Sequence, residues 1–319
     1  MSQERAIRRV AIVGTGTIGA SWATHYLVRG LDVIATDPAP GAASALRGYV
    51  ESAWADASVL GLEPDASPAR LSFVSDLRGA LAEADFVQES APEHLDLKQQ
   101  LFADMDAATP PEVIIASSSS GLVMTEIQAA CRHPERTLVG HPMNPPHLMP
   151  LVEVVGGAAT SSLAIATALS FYASIGKRPV HLRKELPGHA VNRIQSALYR
   201  EVVYLIEQGV VSVADADDLV SWGPGLRWGV MGPSLLWHLA GGNRGIQSFA
   251  QHLMDPLFAS WPGLGNPELT DELRQRIIDG VLGEVGGQSI EELTTRRDAM
   301  LLALQIIRTK DARPLQCEL

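Results

Sequence analysis

The chain is poor in cysteine, and its only two, Cys131 and Cys317, stand in no CxxC or Cys/His spacing. This scarcity argues against a disulfide framework and a cysteine-ligated zinc site, so we expect reduced thiols, a cytoplasmic protein and no metal. The sequence also lacks an apolar run of about 18 residues, and its beginning lacks the pattern of a signal peptide. We therefore expect neither membrane insertion nor export.

Basic residues are scarce as well, with 25 Lys and Arg against 36 Asp and Glu and a formal net charge of -11. Nucleic acids and anionic membranes are bound through clusters of basic residues that displace counterions. The charge therefore disfavours both as partners. What the chain does have is a 46% share of hydrophobic residues in 319, enough for a large core and, at this length, for two domains.

Residues 10–182 alternate short β-branched apolar runs with helical patterns, as is typical of a parallel sheet with crossover helices. The predicted strands are Val10 to Val13, Asp32 to Asp37, Leu71 to Val74, Phe86 to Glu89, Val113 to Ser117, Leu138 to His141, Leu151 to Val155 and Arg178 to Leu182. After Leu186-Pro187-Gly188 the predicted elements are helices: His189 to Gln208, one opened by Ser212, Leu235 to Leu253, and Thr270 to Ile307. We predict an α/β protein with a doubly wound sheet in residues 1–187 and an all-helical domain in residues 188–319.

A glycine-rich turn follows the first predicted strand and opens a helix. Gly14 permits a tight turn, Gly16 lets the backbone approach a pyrophosphate, and Gly19 lets the helix pack closely on the strand. The helix N-terminus, with Thr17 and Ile18, then offers N–H groups to the anion. The sequence therefore predicts a Rossmann dinucleotide site.

Asp37 ends the second predicted strand, where a carboxylate can accept hydrogen bonds from ribose hydroxyls and repel a 2'-phosphate. This position favours NAD over NADP as the cofactor. The alternative is a glycine turn in a flavodoxin-like sheet, with Asp37 as no more than the end of a strand.

The candidate chemical centre combines a histidine with a carboxylate. His141 ends a predicted strand before a proline-rich loop, and histidine suits a general base because it titrates near neutrality. Glu153 lies in an apolar run, where a buried carboxylate needs a partner such as His141. On these residues alone, the alternative that His141 is structural and Glu153 faces solvent is as well supported as the catalytic interpretation. Ser117 to Ser120 follow an apolar strand and either add hydroxyls at the ligand-binding edge of the sheet or form a polar loop.

Three motifs resemble the L-3-hydroxyacyl-CoA dehydrogenase superfamily, and the resemblance covers residues 8 to about 250. It implies that His141 is the general base and that Glu153 orients it. Ser120 would hold the substrate oxygen, and Asn192 would support the substrate hydroxyl or carbonyl. The motifs are Ala116-Ser-Ser-Ser-Ser-Gly-Leu122, His141-Pro-Met-Asn-Pro-Pro146 with Leu151-Val-Glu-Val154, and Pro187-Gly-His-Ala-Val-Asn-Arg193.

The resemblance also implies that Glu93, Lys98 and Asn144 lie along the NAD site and that the helical domain forms a two-fold homodimer. Taken alone, Lys98 is most simply a solvated helix residue, and Asn192 a cap for the first helix of the second domain. The sequence departs from the family in two places. Serines replace the Asn-Thr usual before the substrate-binding serine, and His189 stands where members often have an aromatic or other residue.

The segment after the second strand bears on the substrate, because members that bind CoA thioesters have Ser and Lys contacts there. Residues 41–63 contain Arg47 but no lysine, so a CoA phosphate finds little to bind. The segment Gly223 to Trp228 instead resembles members that act on free acids such as L-carnitine and L-gulonate. Arg227 offers a planar fork suited to a carboxylate, unless it is an ordinary loop arginine paired with a neighbouring Asp.

Between these two acids, the longer match is to members that oxidise L-carnitine. Tryptophans of the second domain would suit a trimethylammonium group, although such residues are more often core or interface. Met143 stands where carnitine-oxidising members have Phe, which favours another 3-hydroxy acid. The tryptophans are Trp222, Trp228, Trp237 and Trp261.

We therefore expect an NAD-dependent dehydrogenase that oxidises a free L-3-hydroxy acid, with L-carnitine the first candidate, to the 3-keto acid. The alternatives are L-gulonate and other short 3-hydroxy acids, including 3-hydroxybutyrate or its CoA ester. A further hypothesis is a non-catalytic NAD-binding structural protein, a role that the related lens protein lambda-crystallin illustrates. The joint presence of the four implied catalytic residues argues against it, because a structural protein needs none of them.

Overall fold

A computed structural model describes residues 6–310, with side chains described through Arg308, and Cys317 lies outside this range. The first part is an eight-stranded sheet, and each predicted strand is present with ends within one residue of the prediction. The strands are β1 (Arg9–Val13), β2 (Asp32–Thr36), β3 (Leu71–Phe73), β4 (Phe86–Glu89), β5 (Ile114–Ser117), β6 (Thr137–Pro142), β7 (Leu151–Gly156) and β8 (Arg178–His181).

The strands are arranged in the order β3-β2-β1-β4-β5-β6-β7-β8, whose first six positions follow the Rossmann order. Val10 and Ile12 of β1 pack into one apolar layer, while Ala11 and Val13 pack into another. Successive strand residues point to opposite faces, so a sheet buried on both faces needs the continuous apolar runs seen in the sequence. The helices of this part are α1 (Thr17–Val28), α2 (Ala42–Val59), α3 (Leu77–Leu81), α4 (Leu95–Ala108), α5 (Met124–Ile127) and α6 (Ser162–Ser174).

The prediction of a parallel sheet is wrong at one strand pair. β7 runs antiparallel to β6, whereas the other paired strands of the described sheet are parallel. The physical reason is the short connection, residues 143–150, because a parallel crossover needs about a dozen residues or more. Helix α6 supplies such a crossover between β7 and β8.

The described residues divide into two compact units, one ending at Asn192 and the other beginning at Arg193. The predicted domain boundary after residue 187 stays a prediction, because compactness does not show which part folds alone. The second unit is helical, and its first helix begins in the last residues of the first unit. The helices are α7 (Val191–Glu207), α8 (Val213–Trp222), α9 (Pro224–Trp228), α10 (Pro233–Ala240), α11 (Ile246–His252), α12 (Met254–Ser260), α13 (Asp271–Val285) and α14 (Ile290–Lys310).

Ser212 opens helix α8 as its N-cap residue, as predicted, and a capping box explains why. The Ser212 hydroxyl accepts a hydrogen bond from the Asp215 N–H, and the Asp215 carboxylate accepts one from the Ser212 N–H. None of the described helices is long and apolar enough to cross a membrane. The core of this unit is formed by Val202, Val203, Ile206, Val213, Ala216 and Leu273.

Two of the predicted long helices are each divided in two. The stretch predicted from residue 235 to 253 is α10 and α11, separated by Gly242 and Gly245 with φ of 62° and 59°. The stretch predicted from residue 270 to 307 is α13 and α14, separated by Gly286 and Gly287 with φ of 61° and 87°. Glycine adopts this left-handed backbone without the steric penalty of a Cβ, and a left-handed residue ends an α-helix.

Candidate functional site

The glycine turn joins β1 to α1. Gly14 has φ of 90°, and a Cβ there would lie 2.7 Å from the backbone of Ser90. A Cβ at Gly19 would overlap the carbonyl oxygen of Gly14, so the helix packs directly on the turn. A Cβ at Gly16, in contrast, would meet nothing within 4 Å, which leaves this backbone open to an approaching ligand. The three glycines fit a pyrophosphate site at the N-terminus of α1.

Asp37 follows β2 and lies beside this turn. Its Oδ2 accepts a hydrogen bond from the Thr15 N–H at 2.7 Å, and its Oδ1 accepts one from the Ala39 N–H at 2.8 Å. The carboxylate therefore holds the glycine turn in place, a contact that the sequence did not predict. The Thr15 hydroxyl also donates to Oδ2 at 3.2 Å. A carboxylate offers about four acceptor positions, so these three bonds leave about one for a ribose hydroxyl.

A buried ion pair lies at the end of β4. Lys98 and Glu89 are 1% and 0% exposed, and the lysine Nζ donates to both carboxylate oxygens at 2.7 and 2.9 Å. Nζ also donates to the Ala91 carbonyl oxygen, and the Ser117 hydroxyl donates to Glu89 at 2.5 Å. The interpretation of Lys98 as a solvated helix residue is therefore wrong.

The Glu93 carboxylate organises the loop that carries the serines. Its Oε1 accepts hydrogen bonds from the Ser119 hydroxyl at 2.7 Å and from the N–H groups of Ser120 and Gly121 at 3.0 and 2.8 Å. Burial alone would raise the pKa of Glu93, but these bonds and the nearby Lys98 ammonium lower it overall. The carboxylate is therefore ionised at neutral pH and fixes the loop.

His141 and Glu153 lie side by side at the carboxyl end of β6. They are directly opposite residues in the antiparallel β6–β7 pair, and His141 Nδ1 lies 2.9 Å from Glu153 Oε2. Both residues are buried. The interpretation of Glu153 as a solvent-facing residue is therefore wrong. The predicted contact between these two residues exists.

The second oxygen of Glu153 is bonded as well. Oε1 accepts hydrogen bonds from the N–H groups of Ala190 and Val191, each at 3.0 Å. Burial would raise the pKa of Glu153, but the bonds from His141, Val191 and Ala190 lower it overall. Glu153 is therefore an ionised carboxylate at neutral pH, with hydrogen bonds on both oxygens.

Asn192 and Ser120 also meet. Asn192 lies in the first turn of α7 and donates from Nδ2 to the Ser120 carbonyl oxygen at 2.8 Å, so its amide binds the serine loop. The Ser120 residue is exposed, and its hydroxyl makes no hydrogen bond with the residues that the structure describes. That hydroxyl is therefore available to a ligand.

The remaining predicted site residues are Asn144, Met143, Arg227 and four tryptophans. Asn144 is exposed in the loop between β6 and β7, and Met143 beside it is half-buried. Arg227 lies on α9 rather than in a loop, is exposed, and forms no ion pair with the side chains described. Within residues 6–308 no group of three or more His, Cys, Asp or Glu could hold a metal ion. The exposed tryptophans are Trp222, Trp228, Trp237 and Trp261.

The sequence prediction missed two buried groups at the site. Glu89 is one, although a carboxylate at the end of an apolar strand is the same signal that marked Glu153. His147 is the other: its Nδ1 lies 2.7 Å from the Ser21 hydroxyl, which accepts from the His147 N–H, so this contact ties the loop after β6 to α1. No sequence signal pairs residues so far apart.

A dinucleotide turn at the head of a Rossmann sheet defines the class of protein as a nucleotide-dependent oxidoreductase. The family model for the NAD-binding domain of 3-hydroxyacyl-CoA dehydrogenase matches residues 9–186, and the model for its C-terminal domain matches residues 188–274. The chain belongs to the 3-hydroxyacyl-CoA dehydrogenase family and is an NAD-dependent oxidoreductase. The predicted architecture, a Rossmann domain followed by a helical domain, is confirmed.

Relatives resemble the chain over nearly its whole length. L-carnitine dehydrogenase of Pseudomonas aeruginosa is 46% identical over 314 residues, 98% of each chain. L-carnitine dehydrogenase of Streptomyces coelicolor is 47% identical over 298 residues, 93% of this chain and 94% of its own. Among solved structures, 5-formyl-3-hydroxy-2-methylpyridine 4-carboxylic acid 5-dehydrogenase, an NAD+ dependent dismutase, is 31% identical with a TM-score of 0.81, covering 95% of this chain and 99% of that one.

The buried Lys98–Glu89 pair makes a prediction about stability. Lys98→Met leaves Glu89 buried without a cation, which should lower the free energy of unfolding by about 3–5 kcal/mol. Adding Glu89→Gln removes the unpaired charge and should recover most of the loss. Urea unfolding at pH 7 measures both, with Lys184→Met on the exposed surface as the control. A single variant as stable as the wild type would contradict the prediction.

Proposed function

We propose that this protein oxidises the 3-hydroxyl group of a free L-3-hydroxy acid to a 3-keto group with NAD, and that L-carnitine is the substrate. The proposal is carried by the buried pair of His141 and Glu153 in a chain whose relatives of similar length are named L-carnitine dehydrogenase. L-gulonate and other short 3-hydroxy acids, including 3-hydroxybutyrate or its CoA ester, are the alternatives. Met143 in place of Phe is the feature that favours them.

His141 is the proposed base for the hydroxyl proton. An ionised carboxylate can only accept hydrogen bonds, so the contact with Glu153 requires a proton on Nδ1 of the imidazole. Nε2 then has the lone pair that takes the proton from the substrate hydroxyl. Glu153 fixes the ring orientation and stabilises the imidazolium that forms. NAD held at the glycine turn would supply the acceptor for the hydride that leaves the hydroxyl-bearing carbon.

Ser120 and Asn192 are the proposed partners of the substrate oxygen. The Ser120 hydroxyl makes no hydrogen bond with the described residues and can therefore donate to the oxygen as it becomes a carbonyl. Asn192 binds the Ser120 carbonyl through one amide hydrogen, which leaves its second hydrogen and its oxygen for the substrate. Both roles follow from the family resemblance, and the contact between the two residues supports them.

The glycine turn and Asp37 support NAD as the form of cofactor bound. Gly16 gives a pyrophosphate access to the backbone, and Asp37 places a negative charge where the ribose hydroxyls would lie, which disfavours NADP. Glu93 and Lys98 act together: the lysine pairs with Glu89 and approaches Glu93 to 3.8 Å. With the turn residues Thr17 and Ile18 and with Asn144, they complete the proposed cofactor site.

Arg227 is the proposed partner of the substrate carboxylate. It is exposed and has no ion pair with the described residues, so its guanidinium can bind a free acid without first leaving another partner. Arg47 and Glu51 of α2 are exposed and Asp56 is half-buried, and the two carboxylates would repel the phosphates of a CoA substrate. These charges favour a free acid over a thioester.

The assembly and location of the protein are part of the proposal. The second unit exposes many large apolar side chains, Trp222 and Ile307 among them at 74% and 66%, and a homodimer would cover them. We place the protein in the cytoplasm because the spacing of its two cysteines is not that of a disulfide framework. Burial raises the pKa of Cys131 to about 12, so this thiol is unreactive.

Steady-state kinetics with NAD over a panel of acids tests the substrate. We expect kcat/KM to be highest for L-carnitine, and higher than for 3-hydroxybutyryl-CoA by roughly tenfold to hundredfold, because only a free acid forms a charged hydrogen bond. L-gulonate and L-3-hydroxybutyrate complete the panel, and D-carnitine controls for configuration. Highest activity on the CoA ester would reject the free-acid proposal, and activity on none would support the structural-protein hypothesis.

The dyad has its own test. His141→Ala should lower kcat by roughly a hundredfold to ten-thousandfold, since it removes the general base, while the Kd for NAD stays within twofold of the wild type. Glu153→Gln should lower kcat less, because the base remains but loses its charged partner. His181→Ala, on the exposed end of β8, is the control. Wild-type rates in His141→Ala would show that the histidine is structural.

The role of Arg227 is tested with an acid and its amide. Arg227→Met should lower kcat/KM for the acid by about tenfold to 150-fold, the value of a lost charged hydrogen bond. Arg227→Lys should recover part of this loss, since a point charge cannot form the bidentate contact. The neutral amide should be affected little, and Arg274→Met on exposed α13 is the control. Equal losses for acid and amide would place the carboxylate elsewhere.

A further inference from the structure

His189 is a buried histidine that neither the proposed mechanism nor the cofactor site uses. It is 1% exposed and has a left-handed backbone with φ of 50°, directly after Gly188 with φ of 76°. Its Nε2 lies 2.9 Å from the Ser119 carbonyl oxygen, and its ring centroid lies 5.2 Å from that of His141. A non-glycine residue in this conformation is uncommon and needs surrounding contacts to hold it.

The four residues from His189 to Asn192, which we term the clip, bind two parts of the site. The backbone N–H groups in the middle of the clip donate to Glu153 Oε1. The side chains at its two ends donate to consecutive carbonyl oxygens of the serine loop, those of Ser119 and Ser120. The clip therefore joins the loop that presents the Ser120 hydroxyl to the carboxylate that orients His141.

The surroundings of His189 favour its uncharged form. A carbonyl oxygen only accepts hydrogen bonds, so the proton of the neutral ring lies on Nε2, and the buried Nδ1 has no partner within the described structure. Burial and the adjacent His141 lower the pKa of His189, against the opposing effects of the Ser119 carbonyl, Glu153 and Glu93. A second proton would leave a charge and an unpaired donor buried beside the base.

We infer that His189 is a positioning residue: as an uncharged donor to the Ser119 carbonyl, it fixes the distance between the serine loop and His141. The inference rests on the proposed function, because it assigns His189 to the same reaction. The donor, rather than the ring volume, is what matters. A residue that only fills space would need the ring and not the N–H group.

Two substitutions separate these roles. His189→Gln places an amide N–H near the position of Nε2 but loses the ring, whereas His189→Phe keeps the ring and loses the donor. Neither glutamine nor phenylalanine is branched at Cβ, so the left-handed backbone conformation is similarly unfavourable for both. The same two substitutions at exposed His181 serve as controls for the general effects of the new side chains.

Steady-state kinetics then test the inference. We expect His189→Phe to lower kcat roughly tenfold to hundredfold through misplacement of the serine loop, with the KM for NAD within twofold of the wild type. His189→Gln should recover at least half of that loss on a logarithmic scale. Activity in His189→Phe equal to or above that of His189→Gln would overturn the inference and leave a space-filling histidine.

Hydrogen exchange of residues 119–122 gives a readout that needs no substrate. His189→Phe should speed exchange of these N–H groups, which donate to Glu93 and to side chains of the loop, and His189→Gln should speed it less. If the wild type oxidises none of the acids, the proposed function fails while this measurement still tests the positioning role. Equal exchange in the wild type and His189→Phe would reject that role.

Discussion

His141 and Glu153 face each other across the antiparallel pair of strands β6 and β7, and the rest of the site is arranged around this register. Directly opposite residues of an antiparallel pair project from the same face of the sheet, which brings imidazole and carboxylate within hydrogen-bond distance. A slip of one residue would move Glu153 to the other face. The short connection of residues 143–150 therefore helps to determine the contact between His141 and Glu153, because a longer connection would permit a parallel strand and a different neighbour for His141.

Three segments of the site are each held by a carboxylate. Glu153 binds the start of α7, Glu93 binds the serine loop, and Asp37 binds the glycine turn, each through backbone N–H groups. Every residue except proline has a backbone N–H group, so this mode of attachment tolerates most sequence changes within these segments. Each charge is offset by several hydrogen bonds, which lowers the cost of burying Glu153.

The sheet and the dinucleotide turn could be predicted from the sequence because their signals are local. Strands buried on both faces give continuous apolar runs, and the three glycines follow a strand within a few residues. The antiparallel direction of β7 could also have been predicted, since the connection after His141 is too short for a parallel crossover. The breaks after α10 and α13 were missed because a hydrophobic period can continue across a glycine pair such as Gly286 and Gly287 while the backbone turns.

The rest of the site depends on contacts between residues distant in sequence. Nothing local indicates that Asp37 binds the glycine turn, that Lys98 is buried against Glu89, or that His189 reaches the Ser119 carbonyl. The pairing of His141 with Glu153 could be predicted only because a carboxylate in an apolar strand needs a hydrogen-bonding partner. Arg227 was predicted from the resemblance of its segment and from the chemistry of its guanidinium, and its exposed position on α9 is compatible with that role.

The N–H groups that bind Glu153 belong to the residues that open helix α7, and this has an electrostatic consequence for the proposed base. The aligned peptide dipoles of an α-helix place about half a positive charge at its N-terminus. Glu153 is thus stabilised as an anion by the macrodipole as well as by hydrogen bonds, and its affinity for a proton falls. In the proposed reaction Glu153 is therefore a fixed anion beside the imidazole and not a second acceptor for the proton.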